Sequence, residues 1–256
     1  MRRTAPGGRV PLASLEVDGH VATLTAAPAG GLADLAFSEA LAAVAERIAA
    51  DTDGIRAVVV TGGADLCFGW SAQALADGAA TLGAGFDALA AVPQPVVAAI
   101  RGRAHSAGLE LALACDIRVA EEGASFAMPE TVLGAMPRGG GSQRLPRAIG
   151  RAQALRLLLT GEQIDAAEAR RIGLVSRVAP AGEALAAARE IAAAIASRGP
   201  IATRLAKEAV HRGLEMTLDQ ALRYELDLTV LLQTTADRAE GVRAFEARRP
   251  PRFTGR

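Results

Sequence analysis

Two short, almost wholly apolar runs constrain the fold of this chain more than anything else in it. Ala57–Thr61 (AVVVT) and Val96–Ile100 (VVAAI) show no alternation of apolar and polar residues, so each is expected to be a strand buried on both faces. The first ends in Gly62-Gly63 and the second in Arg101-Gly102, with a helix expected between them near residues 86–91. A third short strand is expected at 117–120, after an apolar helix over about 107–114. Strand, loop, helix and strand repeat, which argues for stacked β/α units whose post-strand loops are open to a site.

Upstream, residues 14–17 and 20–24 alternate about Asp18-Gly19, which predicts a β-hairpin. Residues 36–50 carry Leu41, Val44 and Ile48 at helical spacing. From Arg147 onward the stretches RAQALRLLLT, DAAEARRIG, EALAAAREIAAAIA and PIATRLAKEAVHRGL read as helices, interrupted by a strand expected at 174–178. Pro200 sits at a helix start, and Gly161, Gly173 and Gly213 at helix ends. The helix expected over 218–234 carries more aliphatic surface than one face needs. It packs either on its own core or on another subunit.

Composition narrows the function classes. With 256 residues, 50% of them hydrophobic, the chain can bury one large core with a helical annex. Lys+Arg and Asp+Glu are equal at 28 each, so no overall field recruits nucleic acid. Cys67 and Cys115 form no CxxC pair, which argues against a disulfide framework and for a reduced, intracellular setting. The opening MRRTAPGGRVPLAS runs into Gly and Pro and reads as a flexible lead rather than a signal peptide. No apolar stretch approaches the roughly 20 residues of a membrane span, so a soluble protein is expected.

Several chemistries lack residues. His20, His105 and His211 fall in three elements without metal-ligand spacing, so no metal is expected. Gly69-Trp70-Ser71-Ala72-Gln73 fails the GxSxG pattern at its last position, and Lys207 is the sole lysine, in a polar-faced helix. Neither a GxxxxGK[ST] nor a GxGxxG is present.

What remains is a pair of carboxylates, Glu110 and Glu130, set in small, apolar sequence where burying a charge is costly. Two such groups in one short stretch suit acid/base work. Ser106-Ala107-Gly108 opens the helix that carries Glu110, so the amide of Ala107 belongs to a helix N-terminus with its positive dipole end. Gly69-Trp70-Ser71 offers a second amide from a loop at the same edge, and two converging amides stabilise an enolate formed from a thioester. Plainer readings stand beside these. The small residues 104–108 serve close helix packing, Gly139-Gly140-Gly141 is a flexible turn, Glu110 is bonded to an arginine, and Glu130 caps a local turn.

Taken together these residues resemble the enoyl-CoA hydratase/isomerase (crotonase) superfamily. The likeness runs from Leu15 to Phe253. It is most specific at Gly102-x-Ala104-x-x-x-Gly108-x-Glu110-Leu111, Ala114-Cys115-Asp116-Ile117 and Phe126-x-x-Pro129-Glu130. It continues through Gly134-x-x-Pro137, residues 140–145 (GGSQRL), 158–161 (LLTG) and 241–245 (GVRAF). The resemblance implies an α/β fold, a spiral of ββα units with a C-terminal helical region. It divides the chain into a lead over 1–13, a core over 14–198 and helices over 199–256 that assemble a homotrimer or hexamer.

It also implies an acyl-CoA thioester as ligand and no separate cofactor, coenzyme A being part of the substrate. The thioester carbonyl would be held by the amides of Trp70 and Ala107. Leu32, Gly69, Ser71, Ala72, Gln73 and Gly108 would line the acyl-CoA, with no metal. Glu110 would take a proton from water as it attacks C3 of a 2-enoyl-CoA, and Glu130 would deliver one to C2. The competing readings are an isomerase, decarboxylase or hydrolase on the same scaffold, or a catalytically weak acyl-CoA-binding protein. A cytoplasmic enzyme without membrane or nucleic-acid partners is expected. Two loops differ from the common family pattern: Phe68-Gly69-Trp70-Ser71 stands where many members carry Ala-Gly-Ala-Asp, and Ser106-Ala107-Gly108 where Gly-Gly-Gly is usual.

Overall fold

The computed structural model describes residues 11–77 and 81–256. In chain order its elements are β1 (Ala13–Asp18), β2 (Val21–Ala26), β3 (Leu32–Ala33), α1 (Leu35–Ala50), β4 (Ala57–Thr61), β5 (Gly69–Trp70), α2 (Ala72–Asp77), α3 (Ala84–Ala90), β6 (Val96–Ile100), β7 (Arg103–His105) and α4 (Ala107–Leu113). They continue as β8 (Ile117–Glu121), β9 (Ser125–Ala127), α5 (Gly141–Ile149), α6 (Arg151–Thr160), β10 (Gln163–Asp165), α7 (Ala166–Arg171), β11 (Arg177–Ala179), α8 (Ala184–Ala196), α9 (Pro200–Gly213), α10 (Leu218–Gln233) and α11 (Ala236–Glu246). Single 3₁₀ turns cover Ala29–Gly31 and Pro129–Leu133. The flexible lead expected over 1–13 lies largely outside the described residues, and β1 already begins at Ala13.

The six-stranded sheet runs β1-β2-β4-β6-β8-β11, antiparallel only at the β1–β2 hairpin. The apolar runs are its centre, buried on both faces as expected. Val58 and Val60 of β4, with Val96, Ala98 and Ile100 of β6, face the main core. Ala57, Val59, Val97 and Ala99 point the other way, into a second cluster closed by the alanines of α8. This double burial accounts for strands whose one polar residue, Thr61, is itself buried.

After each central strand the chain drops into a very short strand before its helix. β5 follows β4, β7 follows β6, and β9 follows β8. β7 pairs with β9, β9 with β10, and β5 with β3. Repeating this step stacks the ββα units and brings their turns to one place. One expectation is corrected. The strand at 174–178 is confined to β11, because Leu174 and Val175 are buried in a turn whose N–H groups bond the carbonyl of Ala169.

Asp34 starts α1 by accepting the Phe37 N–H at 2.8 Å. Pro200 is the first residue of α9, Thr217 and Gln220 form a capping box on α10, and Gly161 ends α6 in a left-handed conformation. α9 is tied to the sheet by Asp116. Its Oδ2 meets Lys207 Nζ at 2.8 Å and the Val96 N–H at 2.7 Å, and its Oδ1 meets His211 Nε2 at 2.9 Å. Burial alone would raise this carboxyl, but His211 and Lys207 outweigh it and hold Asp116 below its ordinary value. The stabilisation is therefore present above the ordinary carboxylate range and lost as pH falls through the lowered pKa. Lys207→Ala strands that carboxylate and is expected to cost about 3–5 kcal/mol in urea unfolding at pH 7. A loss below about 1 kcal/mol would show that His211 and the Val96 amide suffice.

Candidate active site

Glu110 lies in the first turn of α4 and is fully buried, and Glu130 lies in the Pro129–Leu133 turn at 3% exposure. The partner of Glu110 is not an arginine. Its Oε1 accepts the N–H groups of Gly139 at 2.7 Å and Gly141 at 2.9 Å, and its Oε2 accepts the indole Nε1–H of Trp70 at 2.9 Å. The glycine triplet is thus a clamp on a carboxylate rather than a free turn. A Cβ on Gly139 would stand 3.0 Å from Glu110 Oε2.

Glu130 Oε1 accepts the hydroxyl of Ser106 at 2.5 Å, while its Oε2 is buried without a partner among the described residues. Burial pushes the Glu110 carboxyl up to about 7, against the lowering pull of the Gly141 amide and the Trp70 indole; the charge of Glu130 adds to the rise. Burial likewise raises Glu130, opposed by the Ser106 hydroxyl.

The loops expected to hold a thioester meet here. β5 pairs with β3 so that Leu32 lies opposite Gly69. Phe68 N–H bonds Gly31 O and Ser71 N–H bonds Ala33 O. Amides alternate in direction along an extended chain, so the Trp70 N–H between Gly69 and Ser71 faces away from β3 when that of Ser71 faces it. α4 approaches this segment closely, since a Cβ on Gly108 would fall 1.9 Å from the carbonyl oxygen of Cys67. Cys67 is also bridged to Ala104. Leu32, Gly69, Trp70, Ala107, Gly108, Glu110 and Glu130 are therefore gathered around one place. Ser71 turns its hydroxyl to the Ala74 N–H at 3.1 Å, and Ala72 and Gln73 are exposed at the start of α2.

The bulky residues of the first loop do not stand over Glu110 together. The Trp70 ring is 4% exposed and meets Phe86 edge-on, centroids 5.4 Å apart, and Phe86 meets Phe37 at 6.4 Å. Phe68 packs on Gly31 and under the Arg103 guanidinium, 4.2 Å from its ring centroid. His105 is a packing residue: its Nε2 lies 3.0 Å from Ser125 Oγ, and burial lowers its pKa. A hollow of about 360 Å³ beside Asp116, Arg144, Arg147 and His211 takes in neither glutamate.

The sequence reading missed three contributors: the side chain of Trp70, the hydroxyl of Ser106, and the amides of Gly139 and Gly141. Only the glycine triplet carried a local signal, and it was compatible with an ordinary turn.

Residues 32–256 match the family model described as enoyl-CoA hydratase/isomerase. A protein named probable enoyl-CoA hydratase from Mycobacterium bovis is 49% identical over 168 residues, 66% of this chain and 65% of the relative. The match therefore spans just under two thirds of that relative's length. The 2,3-dehydroadipyl-CoA hydratase of Escherichia coli is 44% identical over 168 residues, 66% of each chain. The crystal structure of an enoyl-CoA hydratase from Bacillus anthracis superposes with a TM-score of 0.91 at 36% identity, covering 96% of this chain and 100% of that one. With the family model matched over most of its length and the same stacked ββα architecture, the chain belongs to the enoyl-CoA hydratase/isomerase family.

Proposed function

We propose that the protein is a 2-enoyl-CoA hydratase, adding water across the C2–C3 double bond of an acyl-CoA thioester. The observation that carries this reading is the pair of buried carboxylates brought to one site, one of them fixed by two backbone amides. Ionised Glu110 takes a proton from water as the water oxygen bonds to C3. The π electrons move toward the thioester, and the resulting enolate oxygen is held by the N–H groups of Trp70 and Ala107. Glu130 then gives its proton to C2, and the carbonyl reforms. One water is consumed, and exchange with solvent returns the proton from Glu110 to Glu130.

Ser106, which precedes α4, makes no side-chain cap on that helix, so its hydroxyl does not compete for the amides of the first turn. Leu32, Gly69, Ser71, Ala72, Gln73 and Gly108 would receive the acyl-CoA. The scheme needs no metal and no cofactor beyond the coenzyme A already in the substrate.

The reading extends to assembly. α10 buries only Leu228, and Leu218, Leu222, Leu226, Val230 and Leu231 are each more than half exposed, which supports a homotrimer or hexamer formed through the C-terminal helices. Two buried, unpaired cysteines support a cytoplasmic setting, and no helix among the described residues is long and apolar enough to cross a membrane.

The test follows the loss of enoyl absorbance with crotonyl-CoA and longer 2-enoyl-CoA substrates as a function of pH. A base held near 7 must be ionised to work, so kcat/KM is expected to rise as pH increases through about 7. The scheme also requires Glu130 to hold its proton while Glu110 is ionised, so the rate is expected to fall again wherever Glu130, raised by its burial, gives that proton up. No turnover of any 2-enoyl-CoA, or equal activity at pH 5 and pH 8, would refute the scheme.

A further inference from the structure

The two loops that depart from the common family pattern each put one side-chain donor on one of the two glutamates. Trp70 stands where alanine is common, and its indole N–H reaches Glu110 Oε2 at 2.9 Å. Ser106 stands where glycine is usual, and its hydroxyl reaches Glu130 Oε1 at 2.5 Å. We propose that Trp70 and Ser106 are positioning residues of the hydration site, each fixing one carboxyl group so that its remaining oxygen faces the reacting atoms. The proposal rests on the hydratase reading above and assigns these side chains work beyond the Trp70 backbone amide.

Acceptor capacity gives the first argument. An ionised carboxylate has about four lone-pair sites. On Glu110, the amides of Gly139 and Gly141 occupy Oε1 and the indole takes one site on Oε2, which leaves a single direction from which water can donate. Without the indole, Oε2 would offer two directions and the attacking water two positions. On Glu130, the Ser106 hydroxyl takes Oε1, while Oε2 is buried and unpartnered. An unpaired buried acceptor is costly unless something fills it, and the proton passed to C2 belongs there.

Both donors are held at a cost that their packing supports. The indole is wedged against Phe86, which in turn meets Phe37, so its direction is set by three buried rings. Ser106 adopts φ 51°, a region that non-glycine residues enter at a cost of order 1–3 kcal/mol. A serine just before a helix normally caps it, yet this hydroxyl makes no cap and goes to Glu130. A strained residue that gives up its usual bond is doing something at the site.

Charges around the pair are few. The charge of Glu130 acts on Glu110, and the Cys67 thiol lies in the field of Glu110. Behind the glycine loop, Arg144 donates to Gly139 O at 2.7 Å and to Asp87 Oδ1 at 2.6 Å. A donor to a carboxylate favours its ionised form, so removing one raises the pKa of its own glutamate.

Trp70→Phe keeps the ring against Phe86 and the backbone amide while deleting one N–H. It is expected to lower kcat about tenfold with KM within about twofold, and to move the acid limb of kcat/KM up by roughly one pH unit. Ser106→Ala and Ser106→Gly both delete the hydroxyl, and the glycine also relieves the backbone; both are expected to move the alkaline limb upward. Trp70 is the only tryptophan, so its fluorescence offers a readout independent of turnover and of any variant's folding. In the unmodified protein the emission is expected to titrate near pH 7 and to coincide with the kinetic acid limb, and in Glu110→Gln to be flat. Emission that ignores pH between 5 and 9, or a Trp70→Phe enzyme with unaltered kcat and acid limb, overturns the role of Trp70. Unmoved alkaline limbs in both Ser106 variants overturn that of Ser106. Absence of hydration by the unmodified protein would instead sink the functional reading, with the fluorescence titration still deciding the Trp70–Glu110 contact.

Discussion

Glu110→Gln is expected to lower kcat for hydration by roughly 10²–10⁴-fold, the range that a positioned general base contributes. The fold is expected to survive, because the glutamine carbonyl can accept the Gly139 and Gly141 amides as Oε1 does now. Its NH₂ would then face the Trp70 indole, donor against donor, where Oε2 now accepts. The variant therefore loses the base and the bond that aims it. KM is expected to change far less than kcat, since no contact to coenzyme A is touched.

The same substitution has a signature in stability. The folded carboxyl titrates near 7, against an ordinary value of 4.5. Between these values the folded protein keeps a proton that the unfolded chain has released, so stability falls as pH rises through that window. The whole window is worth about 3 kcal/mol. Glu110→Gln has no such proton. Going from pH 4.5 to pH 8, the unmodified protein is expected to lose stability relative to the variant in urea unfolding. Parallel pH dependences, together with full turnover in the variant, would remove Glu110 from the mechanism.

The parts of this site that the sequence made legible are those written in local pattern. The runs Ala57–Thr61 and Val96–Ile100 carry their burial in five consecutive residues, and Asp18-Gly19 and Pro200 mark a turn and a helix start by their own backbone preferences. Glu110 and Glu130 stood out because charge is costly among Leu, Ala and Met. The short strands β3, β5, β7, β9 and β10 were not legible, because two or three residues set no period and their pairing is fixed by distant partners. Leu174 and Val175 misled for a related reason, as apolar residues buried in a turn look like a strand when only their hydrophobicity is read.

The clamp on Glu110 joins residues 29 and 31 positions away, and the indole bond spans 40. No spacing rule connects such positions. The side chains of Trp70 and Ser106 showed in the sequence only as departures from a family pattern. The structure turns them onto the glutamates.

Gly108→Ala is expected to be the most damaging single-methyl change in the site. The added Cβ would fall 1.9 Å from the carbonyl oxygen of Cys67 and 2.7 Å from its carbonyl carbon, atoms of backbone that cannot swing aside as a side chain would. The Cys67 carbonyl also accepts the His105 N–H at 3.2 Å, so moving it disturbs the start of the second loop as well. Either α4 retreats or the 67–69 segment does, and both motions part the amide of Ala107 from that of Trp70. Overpacking of this kind costs about 1–3 kcal/mol or more. Misplacement by about 1 Å at a reacting centre costs on the order of 10² in rate. A fall in kcat/KM of at least that size is expected, with a lowered Tm. Gly123→Ala supplies the contrast, because a Cβ there meets nothing within 4 Å and the backbone needs no positive φ. It is expected to match the unmodified enzyme in both measurements. Should Gly108→Ala behave like Gly123→Ala, close approach of α4 to the 67–69 segment is not what brings the two amides together.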